Sequence, residues 1–303
     1  MNLPDRSYED FLQAGYCLTA LQRSDEATSL IRVATDMKCQ AEMPALFAGM
    51  DHSWKGLVPR FLIIGAAKAG TTSLYQHLCK HPRVLPGVSK EVAYFSARGL
   101  GREWYLAHFP RRPDWETRFF TGEASVANFN SVRGPFTVSQ ELPDVRLIAL
   151  IRNPIDRAIS HYYNDLAVGV ETRSLDDAIE EELSYLDCAD QQRPRNLEEY
   201  QRTQRHYLDL SLYASHLEHW QIHFPPERVL VIVSEEIHAH PDKELRRVFK
   251  HIDLKYQQLG DYIRILPGIY DDQQKDRVRT RLSKFFRRHN ERLFDMLGRR
   301  LDW

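Results

Sequence analysis

The segment GAAKAGTTSL, residues 65–74, follows the apolar run Phe61-Leu62-Ile63-Ile64, and its reading decides how the rest of the chain is organised. Four consecutive apolar residues closed by a glycine-containing turn predict a strand buried on both faces, as in a parallel sheet. Gly65 and Gly70 permit a tight turn and a close approach of backbone to ligand. A helix starting near Thr71 offers unpaired N–H groups and the positive end of its dipole. Lys68 adds a full charge, and Thr71 and Thr72 add hydroxyl donors. Strand, glycine loop and helix in that order predict a site for a phosphate ester. The order differs from the nucleoside-triphosphate loop G-x-x-x-x-G-K-[ST], because Lys68 stands two residues before the second glycine and Thr71 follows it. A nucleotide-dependent small-molecule kinase is therefore a secondary reading.

Working outward, short apolar strands are expected at Phe61–Ala66, Phe119–Ala124, Val145–Ile151 and Val229–Val233. Helical periodicity fills the gaps at 71–80, 155–166, 174–187, 211–223, 242–251 and 280–298. Strands alternating with helices predict an α/β fold: a P-loop-like, mostly parallel sheet flanked by helices, with ligands at the carboxyl ends of the strands. Ahead of it, residues 7–37 carry two apolar stripes at helical spacing, with no second copy of the pattern. The expected division is an N-terminal helical hairpin and linker over 1–55, with 38–58 as connection, and an α/β domain over 56–303. A lone hairpin cannot bury its own face, so it must pack on the main domain or on a protein partner.

The totals exclude several classes. A net charge of −1, with 43% hydrophobic and 27% charged residues, gives no global attraction to nucleic acid. The basic run 275–300 lacks the interleaved aromatic platform of a nucleic-acid site. No apolar run reaches the roughly 18 residues of a membrane span, and the start MNLPDRSYEDF is not a secretory signal. Cys17, Cys39, Cys79 and Cys188 are scattered without a C-x-x-C pair, which suits a reducing, cytoplasmic setting. His77 and His81 flank Cys79 at helical i, i+4 spacing, but Pro82 ends that helix, and no metal is expected.

A second anion site is written in RLIALIRNPIDRAISHYYN, residues 146–164. The strand ends at Ile151 and delivers Arg152 to the same edge of the sheet. Asn153 is placed to cap the following helix and Pro154 to occupy its first position. An arginine fork with Ser160 nearby suits a phosphate dianion. A second phosphate-like site at the same edge is thereby expected.

These two motifs carry a resemblance. Lys68-Ala69-Gly70-Thr71-Thr72-Ser73-Leu74 resembles the 5′-phosphosulfate loop of sulfotransferases, and Arg152-Asn153-Pro154 through Ser160 resembles their 3′-phosphate motif. The segments HPRV (81–84), SKEVAYFS (89–96), REWYLAHFP (102–110), GEASVANF (122–129), SLYASHLEHWQIHFPPERVLVIVSEEI (211–237) and NERLFDMLGRRLDW (290–303) are similar, in order, to the heparan-sulfate-type branch, N- and 3-O-sulfotransferase-like, and point to a bacterial member. The resemblance spans about residues 60–303. It implies sulfuryl transfer from 3′-phosphoadenosine-5′-phosphosulfate by in-line displacement, with adenosine 3′,5′-bisphosphate as product and no metal required. Lys68, Ala69, Gly70, Thr71, Thr72 and Ser73 are then expected at the 5′ end of the donor, and Arg152, Ser160 and Tyr213 at the 3′ end.

The same resemblance implies that Glu91 is the base that takes the acceptor's proton, with Lys68 at the leaving phosphate. Lys90, Glu123, Ser125 and His108 are expected at the acceptor pocket. The family often has lysine beside the glutamate where Ala124 stands, which leaves the acceptor open: a carbohydrate, another small metabolite, a lipid, or a carrier-bound polyketide acyl chain. His161 lies in a family-like segment without matching a histidine-base motif. The family's basic loop over the nucleotide has no glycine at 271–281, where Lys275, Arg277, Arg279 and Arg281 supply charge. A non-catalytic docking protein, with the hairpin as docking part, is the remaining reading.

Overall fold

The computed structural model describes residues 6–51, 54–112, 117–191, 206–263 and 275–303. The chain opens with helices α1 (Tyr8–Ala20) and α2 (Ser24–Glu42). Ser7 starts α1 through a capping box in which its hydroxyl accepts from Asp10 N and its own N–H donates to Asp10 Oδ2 at 2.8 Å. Gly15 lets the pair pack tightly, since a Cβ there would lie 2.6 Å from Ile31 Cγ1. Helix α2 runs to Glu42 and gives way to α3 (Pro44–Phe47) at a proline. The stretch expected as plain connection from residue 38 is thus partly helical.

The elements of the main body follow as β1 (Lys55–Gly56), β2 (Pro59–Gly65), α4 (Thr71–Cys79), α5 (Arg102–Leu106), β3 (Arg111–Arg112), β4 (Thr121–Ala124), α6 (Gly134–Glu141), β5 (Arg146–Ile151), α7 (Pro154–Ala167) and α8 (Leu175–Gln191). They end with α9 (Tyr213–Gln221), β6 (Val229–Val233), α10 (Ser234–Ala239), α11 (Pro241–His251) and α12 (Lys275–Leu297). The main sheet has the order β4-β2-β5-β6, with every pair parallel. In register, Leu62 stands beside Glu123 on one side and Leu147 on the other. The continuous apolar strands are explained by this placement, because Phe61–Ile64 and Leu147–Ile151 are covered on both faces. Strands β1 and β3 form a separate antiparallel pair.

Chain order sets the position of the site. From β2 the chain crosses to β4 on one side, and from β5 it crosses to β6 on the other. The carboxyl ends of β2 and β5 therefore flank the switch point, where open α/β sheets hold their ligands.

The hairpin joins the core of the sheet, with Ala27, Ile31 and Ala34 in the same apolar cluster as Phe61–Ile64. Helix α2 also caps the end of α5: the Arg32 guanidinium donates to Leu106 O and Phe109 O, and Thr35 Oγ1 donates to Ala107 O at 2.7 Å. These are carbonyls that a helix end leaves without intrahelical partners. A second cluster lies between α7, α8 and α12, built on Tyr162, Ile179, Tyr207, Leu282 and Phe286.

Candidate functional site

The loop after β2 turns through left-handed backbone at Lys68 (φ 66°) and again at Gly70 (φ 96°), which precedes the first turn of α4. No side chain caps that turn, so its N–H groups face the cleft available to an anion. Lys68 Nζ donates to Asn164 Oδ1 at 2.8 Å, and partial burial lowers its pKa. Thr71 and Ser73 are buried at the base, and Thr72 is half-buried. Ala69 is buried, and its N–H donates to Ala66 O at 3.2 Å, so it shapes the loop from within rather than lining the cleft.

Strand β5 delivers Arg152 to the same cleft. Asn153 caps α7 as expected, its Oδ1 accepting from Ile155 N at 3.0 Å and Asp156 N at 3.2 Å. Arg152 Nη1 reaches Lys68 O at 3.4 Å, which ties the end of β5 to the loop after β2. Ser160 lines the cleft about two turns into α7. Tyr213, expected at the nucleotide, is instead buried between Phe129 and Trp303. Its hydroxyl donates to Arg152 O at 2.8 Å and accepts from Arg152 N at 3.4 Å, so it holds Arg152 from behind. Arg157 is fully buried and donates to Ala67 O, Tyr207 O and Ser211 Oγ, which braces the loop after β2 from beneath.

Lys90 and Glu91 form the facing wall. Glu91 has left-handed backbone (φ 63°), and its N–H donates to Ala124 O at 3.0 Å. One carboxylate oxygen accepts from Val126 N at 2.8 Å and the other pairs with Lys90 Nζ. The whole cleft encloses about 370 Å³ and also takes in His161, Asn164, Ser234 and His238. Asn164 was legible in principle, lying four residues after Ser160 on one helix face. Ser234 and His238 share the i, i+4 relation on α10, at the end of β6. Burial, with the nearby Arg157 and Lys68 charges, pushes the His161 pKa down to about 3, so this imidazole stays neutral.

Three residues expected at the acceptor pocket lie elsewhere. Glu123 and Ser125 are buried behind the Glu91 loop: Glu123 accepts from Ser125 Oγ and Tyr105 OH, and Ser125 Oγ accepts from Ala93 N at 2.9 Å. Burial raises the Glu123 pKa despite these donors. His108 is sealed between Tyr16 and Trp104, with Nδ1 against Trp104 O at 2.9 Å, and burial takes its pKa down to about 4. All three support the wall and do not line it. In the basic stretch, Arg279 pairs with Asp156 in the first turn of α7, and Arg281 pairs with Asp176 and Glu180. Arg277 is exposed, and residues 271–274 and the Lys275 side chain lie outside the described residues. His77 and His81 pack against different rings, Tyr262 and Phe249, and His81 Nδ1 accepts from Arg83 N at 3.1 Å.

The family of sulfotransferase domains matches residues 58–290. The chain belongs to this sulfotransferase family. It is similar to human bifunctional heparan sulfate N-deacetylase/N-sulfotransferase 3, at 31% identity over 202 residues, covering 64% of this chain and 22% of that protein. Human heparan sulfate glucosamine 3-O-sulfotransferase 3B1 is 31% identical over 199 residues, covering 65% of this chain and 47% of that protein. Membrane-associated sulfotransferase kil1 of Dictyostelium discoideum is 23% identical over 314 residues, covering 81% of this chain and 66% of that protein. The chain therefore spans less than two thirds of the length of each of these relatives. A solved sulfotransferase from Alicyclobacillus acidocaldarius shares the fold, with a TM-score of 0.65 at 23% identity over 80% of this chain and 97% of that one. Membership in this family favours sulfuryl transfer over the kinase and docking readings. Among the described residues, no helix is long and apolar enough to cross a membrane.

Proposed function

We propose that this sulfotransferase moves the sulfuryl group of 3′-phosphoadenosine-5′-phosphosulfate to a hydroxyl or amine of a glycan or smaller sugar acceptor, releasing adenosine 3′,5′-bisphosphate. The observation that carries the reading is the convergence of two cationic anion sites and a carboxylate on one cleft: Lys68 with the start of α4, Arg152 with Ser160, and Glu91 on the facing wall. Two separate anion sites suit a nucleotide phosphorylated at both ends better than a triphosphate chain. The donor, when bound, supplies an activated sulfuryl group. Lys68, Thr71 and Thr72 then offset charge on the departing phosphate oxygen. Arg152 and Ser160 grip the 3′-phosphate and fix the register of the nucleotide. Glu91 accepts the acceptor's proton, a role that contributes roughly 10²–10⁴-fold. Lys90, beside it, orients that carboxyl and meets the sulfuryl oxygens. The likeness to heparan sulfate sulfotransferases supports a sugar acceptor, and the unpaired Cys17, Cys39 and Cys79 support a reducing, cytoplasmic setting.

The test has two stages. Calorimetry should show adenosine 3′,5′-bisphosphate binding at least tenfold tighter than 5′-AMP, with ATP no better than 5′-AMP. N-desulfated heparin oligosaccharides, incubated with donor and enzyme, should then gain mass in steps of one sulfuryl group. Preference for ATP would overturn the donor assignment; tight bisphosphate binding without a mass gain would overturn the sugar acceptor.

A further inference from the structure

Residues 87–89 lead directly into Lys90 and Glu91, and two parts of the chain hold them. From the α/β body, Tyr75 OH accepts from Gly87 N at 3.1 Å and His108 O accepts from Val88 N at 2.8 Å. From the hairpin, Lys38 Nζ on α2 donates to Gly87 O at 3.3 Å and Val88 O at 3.2 Å. Tyr16, in the last turns of α1, brings its hydroxyl to 2.9 Å from Ser89 Oγ. Its ring stacks on His108, with centroids 5.9 Å apart and planes at 23°. On the far side of Glu91, its own N–H reaches Ala124 O at 3.0 Å and Ala93 N reaches Ser125 Oγ at 2.9 Å.

Between these anchors Glu91 keeps a left-handed backbone, as does Ala93 (φ 56°). Such conformations are costly for residues with a side chain, and they persist only where the surroundings over-determine them. Without its upstream anchors, the segment would relax toward ordinary φ values and swing the Glu91 carboxyl away from the cleft wall.

We infer that the N-terminal hairpin is a positioning part of the active site, in which Tyr16 and Lys38 clamp residues 87–89 and thereby aim Glu91 at the acceptor. This rests on Glu91 serving as the acceptor's base. Tyr16 and Lys38 are positioning residues, since neither lines the cleft. A loss of aim, unlike a loss of donor affinity, lowers turnover while leaving donor binding intact; displacement of a reacting group by about 1 Å costs up to roughly a hundredfold.

The experiment uses the full chain carrying Tyr16→Phe and Lys38→Met together, both substitutions keeping the apolar packing. Hydrogen exchange at the amides of Glu91 and Ala93 should quicken severalfold, while exchange over 66–72 and affinity for adenosine 3′,5′-bisphosphate stay within twofold of wild type. With donor and N-desulfated heparin, kcat should fall by roughly ten- to a hundredfold with the donor KM unchanged, and Lys38→Arg alone, which keeps its donors, should turn over like wild type. In a Glu91→Gln background the double variant should lower the rate no further. Unchanged exchange at 91 and 93, or exchange that rises equally across the fold, would overturn the clamp, as would a rate loss that multiplies with that of Glu91→Gln. Full activity of Glu91→Gln alone would instead overturn the base assignment. If the acceptor is not sulfated by wild type, the sugar reading fails and the exchange result decides the clamp by itself.

Discussion

Replacing Arg152 by alanine removes the guanidinium at the end of β5 while leaving the strand, the Asn153 cap and the buried Arg157 in place. A hydrogen bond to a charged partner contributes about 1.5–3 kcal/mol, or roughly ten- to 150-fold in affinity. That loss should fall on adenosine 3′,5′-bisphosphate, whereas 5′-AMP, which lacks the 3′-phosphate, should bind within about twofold of wild type. Tyr213→Phe supplies an internal scale. It takes away the hydroxyl that donates to Arg152 O and accepts from Arg152 N, while the ring stays packed against Phe129 and Trp303. Its bonds are neutral and act on the Arg152 backbone, not on the ligand, so it should weaken the bisphosphate by less than Arg152→Ala does. Calorimetry of three proteins against two nucleotides, at one salt concentration, gives the full set. Equal losses for both nucleotides in Arg152→Ala would refute the argument, because Arg152 would then be bracing the loop through Lys68 O and not reading a 3′-phosphate.

Glu91→Gln should lower turnover at least a hundredfold while leaving bisphosphate affinity within twofold, as single-turnover and binding assays together would show. Gly122→Ala tests the close contact of β4 with β2: the new Cβ would sit 2.2 Å from Phe61 Cζ, so chemical unfolding should show a loss of about 1–3 kcal/mol, partly recovered by Phe61→Leu. Glu171 is buried beside the Arg173 guanidinium and also accepts from Thr172 N, Arg173 N and Tyr207 OH, which holds its pKa at about 2 against an ordinary 4.5. A depressed carboxyl pKa stabilises the fold above the unfolded value and loses that effect as pH falls from about 4.5 toward 2. Glu171→Gln should therefore cost about 2–3 kcal/mol at pH 7 and flatten the acid limb of a stability–pH curve measured across that window.

The sheet was legible because its strands are local and extreme in composition. Phe61–Ile64 and Leu147–Ile151 have no competing helical period, and Gly65, Gly70 and Pro154 punctuate them. Lys68, Arg152 and Ser160 were legible for a related reason: strand-end loops in such sheets all emerge at one edge. The helices α3, α5, α6 and α10 were missed because four to eight residues are too few to show a period. The misplaced residues are polar ones whose surroundings come from distant chain. His108 is set by Tyr16, some ninety residues earlier in sequence, and Tyr213 by the backbone of Arg152. A polar side chain in a functional-looking segment carries no local mark of whether it faces a cleft or a buried partner.

Lys68 and Glu91, the two side chains to which we propose to assign the chemistry, both stand on left-handed backbone. For residues with a Cβ that conformation costs roughly 1–2 kcal/mol, which glycine does not incur. At these two positions the residue best for folding and the residue best for turnover are therefore different, and selection for either property alone would pull in opposite directions. A population of variants screened only for heat resistance should drift toward glycine or asparagine at 68 and 91 and arrive at sturdier proteins that no longer transfer sulfate.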